Sequence, residues 1–176
     1  MNTMETIRAR ASYRDSFTEA PVPREDLREI LEAGYLAPSG CNRQTTRIVG
    51  VDDPALVKAL AEIYGAPWAA TSRAAVLLLT QETPCYKGDS YHVQDYAAAA
   101  QNLLLAIADK GYATTWIEGQ VKGEKGQKMA ALLGVPEELT VAVYLPIGVP
   151  AKPLTHVKKL PMGERVFLNG YGKPLD

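Results

Sequence analysis

The sequence predicts a single domain that mixes helices with short strands around one buried helix. The first observation is the run Tyr91–Gly111, which holds four consecutive alanines and three consecutive leucines with no internal Pro or Gly. Gly111 stands at the left-handed stop position, and Lys110 offsets the carboxyl end of the dipole. From Tyr96 to Ala108 only Gln101 and Asn102 interrupt an apolar circumference, so burial on all sides is expected. A second subunit and a monomer core are both open as the cover for such a helix. The second observation is Ala74–Thr80, an apolar run of the kind that fills the middle of a sheet. The third is the pair Thr46–Val51 and Thr140–Val149, β-prone segments separated from it by amphipathic helices. A chain of 176 residues is long enough for one domain with a substantial core.

Each further element follows from local chemistry. Thr3–Arg10 reads as a short helix leading into Arg10-Ala11-Ser12-Tyr13-Arg14. Two arginines around a hydroxyl match the oxygens of a phosphate, and they equally describe a solvated helix end. Pro23–Leu36 reads as a helix because Pro23 suits its first turn, Glu25 and Asp26 offset the amino-terminal dipole, and Leu27, Ile30, Leu31 and Tyr35 share one face. It stops at Ala37-Pro38-Ser39-Gly40-Cys41-Asn42-Arg43-Gln44, a turn-forming run dense in hydrogen-bonding groups, as binding loops are. Asp53-Pro54 opens the next helix, with Val57, Leu60, Ala61 and Tyr64 inward, and Gly65-Ala66-Pro67-Trp68 breaks it. Residues 81–90 form a long irregular loop, for which a lid, a pocket wall and a mobile connection are all open. Tyr112-Ala-Thr-Thr-Trp116-Ile-Glu118-Gly119 reads as a strand ending on a glycine that lets backbone approach a ligand. Lys122–Leu133 is a further helix. Pro146 gives the last strand an edge position or a bend. Residues 150–176, with four prolines, three glycines and no long apolar face, form an extended arm lying on another surface.

Composition excludes several classes. A net charge of −1 with scattered Lys and Arg gives no electrostatic case for nucleic acid or an anionic membrane. The longest apolar run, Ala74–Leu79, is too short to span a bilayer, and Met1–Arg8 lacks the apolar core of a signal peptide. Cys41 and Cys85 have no C-x-x-C spacing and the two histidines are far apart, so no zinc site is expected, and a reducing cytoplasmic location is the default. Hydrolase, P-loop and Rossmann signatures are missing: there is no G-x-S-x-G, Gly123-Glu-Lys-Gly126-Gln-Lys128 fails the phosphate-loop spacing, and no G-x-G-x-x-G follows a strand. What remains is a ligand site built from two amino-terminal loops and a strand that ends in Glu-Gly.

Four segments in order carry a family likeness: Arg10-Ala-Ser12-Tyr-Arg14, Ala37-Pro38-Ser39-Gly40-Cys-Asn42-Arg-Gln44, Asp95 followed by Asn102-Leu-Leu-Leu105, and Trp116-Ile-Glu118-Gly119. With them the chain, from about Arg10 to Gly172, resembles the FMN-dependent nitroreductases. The resemblance implies an α+β fold with a mixed, mostly antiparallel sheet flanked by helices. It also implies a homodimer with a long central interface helix, a single domain over 1–176 whose arm 150–176 packs on the partner subunit, and flavin sites at the interface. Arg10 and Ser12 would hold the FMN phosphate, with Lys159 and Lys158 reaching it from the arm. Arg14 would lie by the N1–C2=O edge. Pro38, Ser39, Gly40 and Asn42 would approach from the other subunit. Glu118 and Gly119 would present main-chain N–H groups near flavin N5 and O4, with the Glu118 carboxylate turned away. Cys41 is expected to fill space in the loop rather than to act in catalysis.

Three positions depart from the family pattern. Thr45-Thr46 replaces Pro-Trp after the glutamine, Tyr64-Gly65-Ala66 offers no asparagine for the flavin pyrimidine, and Lys158-Lys159-Leu160-Pro161 replaces Lys-x-Arg-x-Pro, substituting a point charge for a bidentate fork. The resemblance implies an NAD(P)H-driven oxidoreductase that passes hydride through flavin N5 to an electron-poor acceptor such as a nitroaromatic or quinone. The alternatives are a flavin-binding carrier or sensor without fast turnover, and a relative with dehydrogenase or dehalogenase chemistry.

Overall fold

The computed structural model describes residues 1–175. Helices α1 (Thr3–Ala9), α2 (Arg24–Tyr35), α3 (Pro54–Tyr64), α4 (His92–Asp109) and α5 (Glu124–Leu132) surround strands β1 (Thr46–Val51), β2 (Ala74–Thr80) and β3 (Thr140–Ile147). The strands form one antiparallel sheet in the order β1-β2-β3. β2 is buried at every position, as its uninterrupted apolar run predicts.

The side-chain alternation of β2 explains the layering. Ala74, Val76 and Leu78 pack with Leu27 and Ile30 of α2 and with Ala99, Ala100, Leu103 and Ile107 of α4. Ala75, Leu77 and Leu79 point to the opposite face, against Val57, Leu60, Ala61 and Tyr64 of α3 and Met129 of α5. The sheet therefore separates two apolar layers, each covered by a pair of helices. Leu78 pairs with Val143 and Leu79 with Val141, leaving Ala142 as the extra residue of a bulge on β3. That bulge puts the consecutive residues Ala142 and Val143 into the same layer.

Local signals set the ends of the helices. Asp53 accepts from the N–H groups of Ala55 and Leu56 and caps α3, which stops at Gly65 in the left-handed region (φ 86°). Gly111 (φ 81°) follows α4 as expected. Pro146 lies on β3, an edge strand of the sheet, in agreement with its missing N–H. Two expectations are corrected. Tyr35 lies outside the buried face of α2 and is 78% exposed. Residues 112–119 are not a regular strand: Ala113 pairs with Gly148, Thr114 in parallel with Ser12, and Ile117 with Tyr144. Three partners in five residues prevent a continuous ladder, and the one parallel bridge, to Ser12, lies outside the antiparallel sheet.

Helix α4 is also not buried all round within one chain. Asp95, Tyr96, Ala99, Ala100, Leu103, Leu104 and Ile107 are buried, whereas Val93 is exposed and Ala97, Ala98, Leu105, Ala106 and Ala108 are half-buried. On that side of α4 half-buried small apolar residues alternate with the exposed Gln94 and Gln101. Residues 150–154 are held to the body, Pro150 opposite Phe17 and the Ala151 N–H on Ser16 O, and beyond them Val157, Leu160, Met162 and Tyr171 are exposed. From Thr155 onward the arm's hydrogen bonds, such as Leu168 N–H to Lys173 O, are internal to it. No helix among the described residues is long and apolar enough to cross a membrane.

Candidate functional site

The site residues fall into two groups, and adjacent residues of α4 hold them. Asp95, 4% exposed, accepts from the Gly40 N–H at Oδ1 (2.7 Å) and from the Thr45 hydroxyl at Oδ2 (2.7 Å). Tyr96, equally buried, donates its hydroxyl to Glu118 Oε1 at 2.8 Å. One turn of helix thus pins the loop 37–45 and the loop around Glu118 to the same rigid element.

The first group is the loop 37–45. It needs unusual backbone: Cys41 (φ 50°), Asn42 (φ 53°) and Gln44 (φ 51°) all lie in the left-handed region, where non-glycine residues are uncommon. The compensating contacts are specific. Ser39 Oγ accepts from the Gln44 N–H (3.0 Å), and Gln44 Nε2 donates to Asn42 Oδ1 (3.3 Å). Gly40 is pressed against Tyr91, where an added Cβ would come within 2.6 Å of Cδ2. Thr45, which stands in place of the family's proline, is buried and supplies the second hydrogen bond to Asp95. Pro38, Ser39, Asn42 and Gln44 then line an open cleft of about 850 Å³ with Leu31, Ile48 and Asp95.

The second group gathers around residues 112–120. In the extended segment 10–14, Ala11 and Tyr13 point inward, Ser12 and Arg14 are exposed, and Arg10 is half-buried. The side chains of Arg10, Ser12 and Arg14 make no hydrogen bond or ion pair with the described residues. Ser12 is bridged to Thr114, and Arg10 lines a small hollow of about 70 Å³ with Thr114, Gly111 and Leu154. Thr114 Oγ1 is buried there without a partner. Burial pushes the Tyr64 phenol up, and the charge of the Arg14 guanidinium pulls against it. The Tyr64 hydroxyl donates to Gln120 Oε1 (2.6 Å), which joins Arg14's surroundings to the Glu118–Gly119 turn.

The Glu118 carboxylate is fully engaged. It accepts from Tyr96, from Trp116 Nε1 (3.0 Å) and from Lys122 Nζ (3.3 Å). Burial alone would raise its pKa, but the hydrogen bonds from Tyr96, Trp116 and Lys122 outweigh it and hold the acid below the ordinary range. Burial and that carboxylate together push the Tyr96 phenol up to about 12. A proton-donating role for Glu118 is disfavoured by the same contacts. Among the described residues the main-chain N–H groups of Glu118 and Gly119 have no acceptor, and a Cβ at Gly119 would meet nothing within 4 Å.

Lys158 and Lys159 are exposed on the arm, and among the described residues neither forms an ion pair with the body. Pro38, Ser39, Gly40 and Asn42 sit with one group, and Arg10, Ser12, Arg14, Glu118 and Gly119 with the other. Two residues gained roles that sequence reading did not assign, Asp95 and Tyr96. The available signal was a carboxylate in the first turns of an otherwise apolar helix, which must be paired if buried.

Comparison with known proteins places the whole chain. A family model described as the nitroreductase family matches residues 7–88 and 69–149. An NADH dehydrogenase of Thermus thermophilus is 30% identical over 182 residues, covering 86% of this chain and 88% of that protein. An NADPH-flavin oxidoreductase of Vibrio harveyi is 30% identical, covering 97% of this chain and 75% of its own. Among solved structures, the NADPH:FMN oxidoreductase of Vibrio harveyi complexed with NAD+ superposes with a TM-score of 0.79 at 27% identity, over 100% of this chain and 80% of that one. With an α+β fold, a small antiparallel sheet between helix pairs and matches of this extent, the chain belongs to the nitroreductase family.

Proposed function

We propose that the protein is a homodimeric FMN-dependent NAD(P)H oxidoreductase that reduces an electron-poor small molecule such as a nitroaromatic or quinone. The observation that carries this reading is the division of the site into two incomplete halves, each anchored to α4, whose Ala98, Leu105 and Ala108 are only half-buried within one chain. In a two-fold dimer the half around Glu118 in one subunit meets the loop 37–45 of the other. The chain is one domain, and its arm, held to its own body at 150–154, packs on the partner beyond Thr155, covering apolar side chains such as Val157 and Leu160.

The donor set fits FMN. Arg10, Ser12 and Arg14 offer cationic and hydroxyl groups free of internal partners, and the N–H groups of Glu118 and Gly119 are free to meet ring acceptors. Arg10 and Ser12 hold the phosphate, with Lys158 and Lys159 added by the arm. Arg14 favours negative charge on the pyrimidine side. Pro38, Ser39, Gly40 and Asn42 of the second subunit complete the walls. Bound FMN supplies the two-electron redox chemistry. The protein supplies oriented donors that cost little reorganisation, because the turn at Glu118 is held through its carboxylate by Tyr96, Trp116 and Lys122. The dinucleotide complex reported for the Vibrio harveyi relative supports a nicotinamide reductant.

The test is direct. Chromatography of the cofactor released from purified protein should give FMN, and anaerobic NADH or NADPH should bleach the bound flavin. FAD, or no flavin after reconstitution, would refute the assignment.

A further inference from the structure

The segment 10–14 and the base of the arm are joined through Tyr13. Ser12 and Arg14 point outward, and Tyr13 lies between them on the inner side of the extended stretch, 5% exposed. Its N–H is held by Thr114 O (2.9 Å), and its ring stacks on Phe17 at a centroid distance of 5.3 Å. The Tyr13 hydroxyl donates to Ser16 O (2.7 Å) and accepts from the Lys152 N–H (3.2 Å). Ser16 O takes a second bond from the Ala151 N–H (3.1 Å), and Phe17 is bridged to Pro150. One phenol thus ties the segment that carries Arg10 and Ser12 to the origin of the arm that carries Lys158 and Lys159. We propose that Tyr13 is a positioning residue for the flavin phosphate, whose hydroxyl locks the arm base so that Lys158 and Lys159 are held near Arg10 and Ser12 of the same chain. This inference rests on the FMN reading of the site.

Chain length carries the argument from the lock to the lysines. Lys158 stands six residues beyond Lys152, and six residues fully extended span at most about 20 Å. Pro153 restricts that tether at its origin. Ser12 adjoins Tyr13, so both lysines stay within one short tether of their own chain's phosphate-directed groups. A tether of this kind concentrates a binding group at its target only while its fixed end stays in place. The lock matters more for lysine than it would for arginine. A lysine is a point charge on a flexible stem and lacks the fork that aligns a guanidinium on phosphate oxygens, so its placement must come from the backbone. The second strap, Lys152 Nζ on Asp15 (2.7 Å), is an exposed ion pair that salt screens. The sheltered hydroxyl of Tyr13 is therefore the durable part of the lock.

Tyr13→Phe keeps the ring and deletes only the hydroxyl. The full chain, stripped of flavin, is titrated with FMN and with riboflavin, which lacks the phosphate, and binding is followed by flavin fluorescence. Tyr13→Phe should bind FMN about tenfold more weakly than the wild type, and riboflavin within about twofold of it. Lys158→Gln/Lys159→Gln should weaken FMN binding in the wild-type background and do so much less in Tyr13→Phe, because unlocked lysines already contribute little. A hydroxyl that only supports the fold would weaken both flavins alike and leave the lysine effect unchanged. Either of those results would overturn the proposal, as would unchanged FMN affinity in Tyr13→Phe. A wild type that binds neither flavin refutes the FMN reading, and this inference with it. Tight wild-type binding of FMN together with any of the contrary results refutes this inference alone.

Discussion

The loop 37–45 and the arm 155–175 are both irregular, yet the chain treats them in opposite ways. The loop adopts three left-handed non-glycine conformations and holds them through a buried carboxylate, a packed tyrosine and two internal side-chain bonds. The arm has ordinary backbone over most of its length, but its hydrogen bonds are local and its apolar residues face outward, Tyr171 at 94% exposed. Strain with compensation marks a segment whose conformation is fixed by its own subunit. Apolar exposure without compensation marks one that needs a second surface.

The largest effect should come from removing the arm. A chain ending after Thr155 keeps the contacts of Ala151 with Ser16 and of Lys152 with Asp15 and Tyr13, so the body should stay folded. It should become monomeric in sedimentation and bind FMN at least about a hundredfold more weakly, roughly 2.7 kcal/mol. A truncated dimer with unchanged flavin affinity would remove the contrast between loop and arm.

Next is the anchor of the loop. Asp95→Ala strands the Gly40 N–H and the Thr45 hydroxyl and should cost about 2 kcal/mol in denaturant unfolding, since hydrogen bonds to a buried charged group are among the stronger ones. Asp95→Asn keeps an acceptor for Gly40 and should cost about half as much by the same reasoning. Equal stability of Asp95→Ala and the wild type would mean that the loop holds itself.

A smaller effect is expected at Glu118, where backbone and side chain are separated. Glu118→Ala should retain FMN and lose about tenfold or less in kcat, under about 1.4 kcal/mol. Glu118→Pro removes the N–H and should slow flavin reduction much further with flavin still bound. Stopped-flow bleaching by NAD(P)H compares them, and equal damage in both would make the carboxylate catalytic.

The smallest effect lies away from both regions. Asp26 is held below the ordinary carboxylate range by Lys110 and then by the Tyr112 hydroxyl, while Lys110 is raised by Asp26 and Glu29. A depressed acid contributes fully above its unfolded pKa of about 3.9, and the contribution is lost as pH falls through the lower folded value. The raised Lys110 contributes fully below its unfolded pKa of about 10.4 and loses this as pH rises through the folded value. Denaturant midpoints of the wild type and Asp26→Asn should therefore differ at neutral pH and converge at strongly acidic pH. A constant difference would contradict the pairing.

Much of this was legible in the chain because it is local or periodic. Strands β1 and β2 and the inner face of α3 follow directly from their apolar patterns. The strand expected at 112–119 failed because its pairings are shared among Ser12, Tyr144 and Gly148, which no local pattern records. Tyr35 failed because an apolar residue at the right helical spacing can still lie past the edge of its layer. The site residues were named from motif resemblance, but their separation into two groups depends on Asp95 and Tyr96 choosing different loops, a tertiary fact. Lys158 and Lys159 are exposed on the arm, and their part in the site belongs to the proposed dimer.

The central claim is that each flavin site combines Arg10 and Ser12 of one subunit with the loop 37–45 of the other. It is tested most directly by mixing two variants, Arg10→Ala/Ser12→Ala and Ser39→Ala/Gly40→Val, each folded and unable to bind FMN alone. Random reassociation from equal amounts should restore about a quarter of the wild-type flavin sites, because half the dimers are mixed and each of these carries one intact site under two-fold symmetry. Mixed dimers that form but bind no FMN would show that the site is built within one chain, contrary to this account.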